Sequence, residues 1–562
     1  VEGNRRLLAL LMLGVVAFGV YANTLTADFV FDDVKYIEPR DLSHIGELVN
    51  PLTKGGLGYR PLRNLSLAVD HALWGMKPQG FHVTNCILHV VATLLIFRIC
   101  VLFLGSWMAG LLAALLFATH PIQTEAVAYI SGRKDVLTTI FFVLGLLLFF
   151  QYRKNRRPLL FLPLIGVCYL FSLLSKEMGV TLPVIFFLWD LTLGRREGPS
   201  SRRALPIWLG RESFEVVRRD KILYIPFILG ALFVALWFAW LVPSTRQGWW
   251  GGTPWLNLLT AARVHTHYLM LLLFPRTLVG DYSYEAFPIT REILDVSSLT
   301  SLLIVGGLVL SLVLLIRRSP RISFLGLFYF VTLIPVSQIV PHHELLGERF
   351  LYLPSIAFAT LTAWCLIGLA GVLARRVKMW PKERILLALA VPLLLVYTAR
   401  SVVRNRDWRD DLTFWTRTTL DAPRCARAHR NLAYNLFYAG EPDRAIEHML
   451  ASLEIFPDAP DSHFNLGRMY EKTSQTGRAI YHYEKALRHP ATRLDAHLNL
   501  GLLYARTGDF DQAEKLLTAA LRFDDSCYEA HYNLGVLLRK EGREEEAMAH
   551  FLRAEGIKDS GS

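Results

Sequence analysis

The sequence predicts an all-α protein in two parts, a polytopic membrane domain of helical spans followed by a soluble α-solenoid. Three observations predict it. Of the 562 residues 53% are hydrophobic, more apolar surface than a soluble core of this size needs. Apolar runs approaching the roughly 20 residues of a membrane helix recur from Arg6 to Arg400 and then stop. Beyond them a four-residue pattern returns every 34 residues. The expected organisation is a membrane domain over 1–403, a bridge with a half-repeat over 404–426, and a repeat domain over 427–562.

The net charge of +12 does not point to nucleic acid, and no nucleic-acid partner is expected. Arg and Lys cluster in short segments between apolar runs, the pattern that sets membrane orientation. Of six cysteines, Cys86, Cys100, Cys168 and Cys365 fall in expected spans, and Cys425 and Cys527 lie far apart. Without a CxxC or Cys/His spacing, neither a disulfide framework nor a zinc site is indicated. His342-His343 beside Glu344 is the one metal-like pair, and adjacent histidines are poor chelators on a helix. No metal is expected.

The first run, 6–21, follows Asn4-Arg5-Arg6 and has no small-x-small cleavage site. It reads as an uncleaved span that starts in the cytoplasm. It delivers Phe29-Val30-Phe31-Asp32-Asp33 to the outer side, two carboxylates hydrated enough to stay ionised and next to lipid. Such a pair fits a catalytic base, and it also fits a plain marker of the membrane exit. The polar segment 34–80 is long enough for an amphipathic lid at the interface. Runs 81–104 and 107–119 are the next spans. The charged loop 120–135 lies outside and borders a cavity, because charge at membrane depth is costly otherwise.

Runs 136–152, 159–174 and 180–193 follow, with Arg153-Lys154-Asn155-Arg156-Arg157 and the arginines from Arg195 to Arg219 marking the inside. Runs 222–242, 299–316, 324–340, 350–373 and 386–398 bring the count to about eleven spans. Parity leaves both flanks of 256–278 outside. That run, with Arg263, His265 and His267, reads as re-entrant or interfacial, with a full span as the alternative. The repeat domain then shares a side with Asp32.

His-x-Asn-Leu recurs at His429, His463, His497 and His531, with alanines in phase at Ala445, Ala479, Ala513 and Ala547 and turn glycines at Gly440, Gly508 and Gly542. A 34-residue period with small residues where two helices cross is the tetratricopeptide signature. Stacked helix pairs present a groove for an extended polypeptide. Asn431, Asn465, Asn499 and Asn533 are candidates to clamp its backbone, and inter-helix contact is the plainer role for the histidines.

A membrane enzyme facing outward has no nucleotide donors, so its supply is a lipid-phosphate-linked donor. Arg60, Arg133, Lys134 and Arg349 all fall on outward loops and are candidates for the phosphate or sugar. Asp32 or Asp33 is the candidate base for an acceptor hydroxyl.

In chain order, the blocks Phe31-Asp32-Asp33, Tyr59-Arg60-Pro61-Leu62, Phe81-His82-Val83-Thr84-Asn85, Ala118-Thr119-His120-Pro121 with Thr124-Glu125, Gly132-Arg133-Lys134-Asp135, Ser175-Lys176-Glu177-Met178-Gly179, Gly280-Asp281-Tyr282-Ser283, Glu348-Arg349-Phe350-Leu351-Tyr352 and Arg404-Asn405-Arg406 resemble the transmembrane and tetratricopeptide-repeat O-mannosyltransferases of the GT-C glycosyltransferase superfamily. The resemblance implies a GT-C membrane fold that takes mannose from a polyprenyl-phosphate carrier and transfers it with inversion to Ser or Thr, with no further cofactor. It places Asp32 at the catalytic position with Asp33 assisting. His82, His120, Glu125, Glu177 and Glu348 are secondary pocket candidates. The repeat array is shorter than in the familiar members, which leaves the sugar and acceptor open and favours a bacterial inner membrane over the endoplasmic reticulum. Two other readings stand beside it: a glycosyltransferase acting on a lipid or glycan, and a non-catalytic membrane-anchored scaffold.

Overall fold

The computed structural model describes residues 2–37, 60–194, 205–230, 248–283, 285–339, 341–342, 344–377, 380–489 and 492–560. The described residues are helical, with 3-10 turns and no strand. The chain divides into two compact units, Val1–Tyr282 with Pro288–Arg417, and Ser283–Phe287 with Thr418–Ser562.

The first unit is a bundle whose apolar side chains face both inward and outward. Phe117, Phe142, Phe149 and Leu182 are buried in its core, while Leu159, Leu303 and Val296 on its outer surface are 94%, 76% and 75% exposed. Helices apolar on every face suit a lipid surround. Among the described residues seven helices are long and apolar enough to cross a membrane: Arg6–Thr26, Pro78–Leu104, Ile130–Asn155, Pro158–Ser175, Val296–Arg317, Ser355–Arg376 and Lys382–Trp408. An eighth results if the pair Trp107–Thr119 and Pro121–Ala128, bent by 54°, counts as one. This is the membrane-helical class expected. Other apolar runs form shorter helices, such as Leu182–Thr192 and Pro320–Val336, and of the 222–242 run the described part is the helix Lys221–Gly230. The rest of the expected 222–242 span and most of the expected lid lie outside the described residues. The helix at the ambiguous run is Pro254–Leu273, and it is not among those apolar enough to cross.

Local chemistry sets the breaks. Helix Pro78–Leu104 ends at Gly105, whose φ of 67° closes a tight turn, and Ser106 caps Trp107–Thr119 by accepting from the Ala109 N–H at 3.4 Å. Gly132 is held where a Cβ would sit 2.6 Å from the Glu125 carbonyl oxygen. Only glycine lets the chain fold back on itself there.

The second unit holds four antiparallel helix pairs: Ala426–Tyr438 with Pro442–Ile455, Pro460–Lys472 with Thr476–Ala486, Arg493–Thr507 with Phe510–Phe523, and Tyr528–Lys540 with Glu544–Ser560. Ala445, Ala479, Ala513 and Ala547 are fully buried, as crossing points require. The turns of pairs one, three and four use Gly440, Gly508 and Gly542 at positive φ, and in pair two Ser474 takes φ 59° instead.

Candidate active site

The acid pair opens a five-residue helix, Asp32–Tyr36, just past the first span. Its two carboxylates have opposite surroundings. Asp33 is 1% exposed and accepts from the Ile130 N–H at 3.1 Å, the Ser131 N–H at 3.1 Å and the Ser131 hydroxyl. Burial pushes its carboxyl up to about 7 against the pull of those donors. Asp32 is only partly buried, and its Oδ2 accepts from the Tyr129 hydroxyl at a long 3.4 Å. Asp33 is thus anchored and Asp32 is left open.

Residues 124–135 form the hub of the site, because the break between two membrane helices exposes polar groups in several directions. Glu125 accepts from the Arg349 N–H at 2.8 Å and pairs with its guanidinium, which also pairs with Glu344. Tyr129 and Ser131 meet the acid pair. Asp135 holds the buried Lys176 at 2.5 Å, whose ammonium lies 4.1 Å from the centre of the Phe350 ring. Arg133 pairs with Asp70 at 2.6 Å and donates to Asn85 Oδ1 at 2.8 Å, the Phe81 carbonyl at 3.0 Å and Ser66. It is wholly buried. Arg133 therefore faces the packing between helices rather than an open cleft, unlike the donor contact expected of it.

The other expected cations converge on the same hub. Arg60 pairs with Glu177 at 2.6 Å. Burial disfavours the Glu177 charge, but Arg60, Lys176 and His342 outweigh it and hold the carboxyl down at about 2. Arg63, one helical turn from Arg60, is buried within electrostatic reach of Tyr129, Asp33 and Asp32, and burial lowers it to about 10. Lys134 is partly buried, within reach of Arg349, Glu344, Lys176 and Arg63. Among the described residues its ammonium has neither a hydrogen bond nor an ion pair. Of these cations Arg63 is the one within electrostatic reach of the acid pair, and Lys134, within reach of Arg63, has no side-chain partner among the described residues.

The secondary candidates are built into the frame. His120 accepts at Nδ1 from the Ile122 N–H at 3.1 Å and donates from Nε2 to the Leu272 carbonyl at 3.0 Å, so both ring nitrogens are used. His82 is 1% exposed beside the Asp28 main chain. Glu348 accepts from the Val279 N–H and from the Tyr282 hydroxyl at 3.0 Å, and faces Arg404 at 3.7 Å. Burial pushes it up to about 7 despite Arg404. Among the described residues no three His, Cys, Asp or Glu groups are placed to hold a metal, and His343 lies outside the described residues.

Sequence reasoning passed over Tyr129, Arg63 and Lys176. Arg63 stands three positions after Arg60, and a helix begun by Pro61 puts such residues on neighbouring faces. In the second unit, Asn431, Asn465, Asn499 and Asn533 occupy one register position on the first helix of each pair, and all four are partly buried.

Tetratricopeptide-repeat models match residues 424–489 and 498–562. Human protein O-mannosyl-transferase TMTC3 is 27% identical over 504 residues, covering 83% of this chain and 53% of that protein. Protein O-mannosyl-transferase TMTC2 of Mus musculus is 31% identical over 339 residues, covering 54% and 38%. The crystal structure of MamA aligns at a TM-score of 0.26 and 19% identity, over 27% of this chain and 88% of that one. The chain spans about half the length of the TMTC3 proteins it matches. Over most of its own length this chain is similar to proteins named protein O-mannosyl-transferases TMTC2 and TMTC3, and its last part matches tetratricopeptide-repeat models.

Proposed function

We propose that the chain transfers mannose from a polyprenyl-phosphate carrier to Ser or Thr hydroxyls of polypeptides, in one inverting displacement with Asp32 as general base. The observation that carries this reading is the partly open Asp32 carboxylate, next to the anchored Asp33 and within electrostatic reach of Arg63. The acceptor O–H proton passes to Asp32 as the oxygen bonds to the sugar C1. The C1–O bond to phosphate breaks, and its electron pair leaves with the polyprenyl phosphate. Lys134 meets that phosphate, and Arg60 and Arg349 add to the field that offsets its growing charge. Arg133, Glu125 and Glu348 hold the frame. The relatives' name as protein O-mannosyl-transferases supports the reaction class.

The acceptor polypeptide is held by the repeats, with Asn431, Asn465, Asn499 and Asn533 on its backbone. The reaction face is periplasmic in a bacterial inner membrane, or lumenal in an endoplasmic reticulum. The test is transfer of radiolabel from polyprenyl-phosphate-mannose to a panel of Ser/Thr-containing polypeptides by wild type and Asp32→Asn. Transfer by wild type alone is expected. Equal transfer by both removes Asp32 as the base, and transfer by neither favours a scaffold.

A further inference from the structure

Phe31, the residue before Asp32, has φ 63° and ψ −123°. A side chain rarely adopts this backbone, and a non-glycine residue stays there only where its surroundings over-determine it. Its N–H donates to Asp411 Oδ1 at 2.9 Å, and the other Asp411 oxygen accepts from the Trp415 indole N–H at 3.0 Å. The Phe31 ring packs on Tyr129, Phe414 and Trp415 with centroids 5.4–5.6 Å apart. One residue group earlier, the Asp28 N–H donates to the Arg409 carbonyl at 2.9 Å.

Asp411 begins helix Asp411–Asp421, and a cap for that helix is its plainest role. That role is already filled. Asp410 Oδ1 accepts from the Thr413 N–H at 2.8 Å, the side-chain bond of a helix cap. Asp411 instead reaches across the chain to hold the strained peptide that aims Asp32.

We propose that Asp411 is a positioning residue for Asp32, an inference that rests on the reading of Asp32 as the base. Two anchors bracket that base. Asp411 fixes Phe31 on one side, and Ile130 with Ser131 fixes Asp33 on the other. Among the described residues the Asp32 carboxylate has only the long Tyr129 hydrogen bond, so its direction is set by its neighbours. Releasing Phe31 lets its backbone relax to negative φ and swings the Asp32 carboxylate away from its placement beside Tyr129.

The test compares full-length wild type, Asp411→Ala, Asp411→Asn and Trp415→Phe, with undecaprenyl-phosphate-mannose as donor and a threonine-rich polypeptide as acceptor. For Asp411→Ala the expected result is a fall in kcat on the order of 10- to 100-fold, with donor KM within about twofold. Asp411→Asn keeps one acceptor oxygen and recovers part of the loss. Trp415→Phe leaves the Phe31 clamp and retains most of kcat. Hydrogen exchange gives a readout free of turnover: in Asp411→Ala the peptide 28–36 exchanges faster, while 130–131 and the repeats stay as in wild type. Unchanged exchange in 28–36, or unchanged kcat in an active enzyme, overturns the positioning role. Absence of transfer by wild type overturns the functional reading instead, and the exchange arm still decides whether Asp411 holds Phe31.

Discussion

The imidazoles of His463 and His482 meet Nδ1 to Nδ1 at 2.9 Å across the two helices of the second repeat. His429 with His448 at 3.1 Å and His531 with His550 at 2.9 Å repeat the contact. The first histidine of each pair donates from Nε2 to the carbonyl of Pro423, Pro457 or Asp525. Its Nδ1 therefore carries the lone pair, and the second ring is the donor. The third repeat lacks the pair: Leu516 stands in phase, and His497 packs on Phe523 at 5.4 Å.

Protonating both rings of a pair sets N–H against N–H, so acid weakens these repeats. Burial first, then His463 and Lys485, pull His482 down to about 4. With the folded value below the unfolded 6.5, the stabilisation is present above pH 6.5 and is lost as pH falls toward 4. His482→Leu, which copies the third repeat, flattens this loss. Hydrogen exchange in peptides covering 460–486 of the full-length protein, at pH 7.5 and pH 5, reads it out.

Asp32 and Asp33 separate by assay. Asp33→Ala strands the Ile130 and Ser131 donors and costs about 3 kcal/mol or more. Its thermal unfolding midpoint in detergent falls well below that of wild type. Asp32→Asn leaves the midpoint in place and removes transfer. A lowered midpoint for Asp32→Asn would contradict this division.

Lys134→Gln raises donor KM with little change in stability, since no partner is orphaned. Arg349→Ala strands Glu125 in the interior and costs about 3–5 kcal/mol, so the protein unfolds early before any kinetic effect can be read. Melting curves and donor titrations on the two variants distinguish the unpaired cation from the paired one.

Glu348 gives the opposite pH slope from the histidines. Burial, with Glu125 adding, raises its carboxyl from 4.5 to about 7, while Arg404 opposes. The folded state holds the extra proton between those values, so stability declines as pH rises from about 4.5 through about 7. Glu348→Gln removes that decline, which calorimetry of wild type and variant over the same pH range measures.

The repeat domain and the acid pair were legible because each is a local signal. A 34-residue period and a carboxylate pair after an apolar run need no tertiary information. The partition of labour within the site was not legible. Arg133 and Lys134 are neighbours with the same charge in the sequence. Yet a helix turns successive side chains by about 100°, so one points into Asp70 and Asn85 and the other is left uncommitted. Helix lengths were not legible either: the apolar run 180–193 holds a helix of only 11 residues, Leu182–Thr192.

The clamp between the segments that follow the first and the last membrane helices also fixes an order of assembly. Phe31 and Asp411 are 380 residues apart in the chain, and Asp28 waits as long for Arg409. During synthesis the acid loop leaves the first helix with nothing to hold its strained peptide. A nascent chain that stops short of residue 409 can insert every earlier helix and still carry Asp32 unaimed. On the proposed function, a productive aim of Asp32 comes only after residues 409–411 have been made.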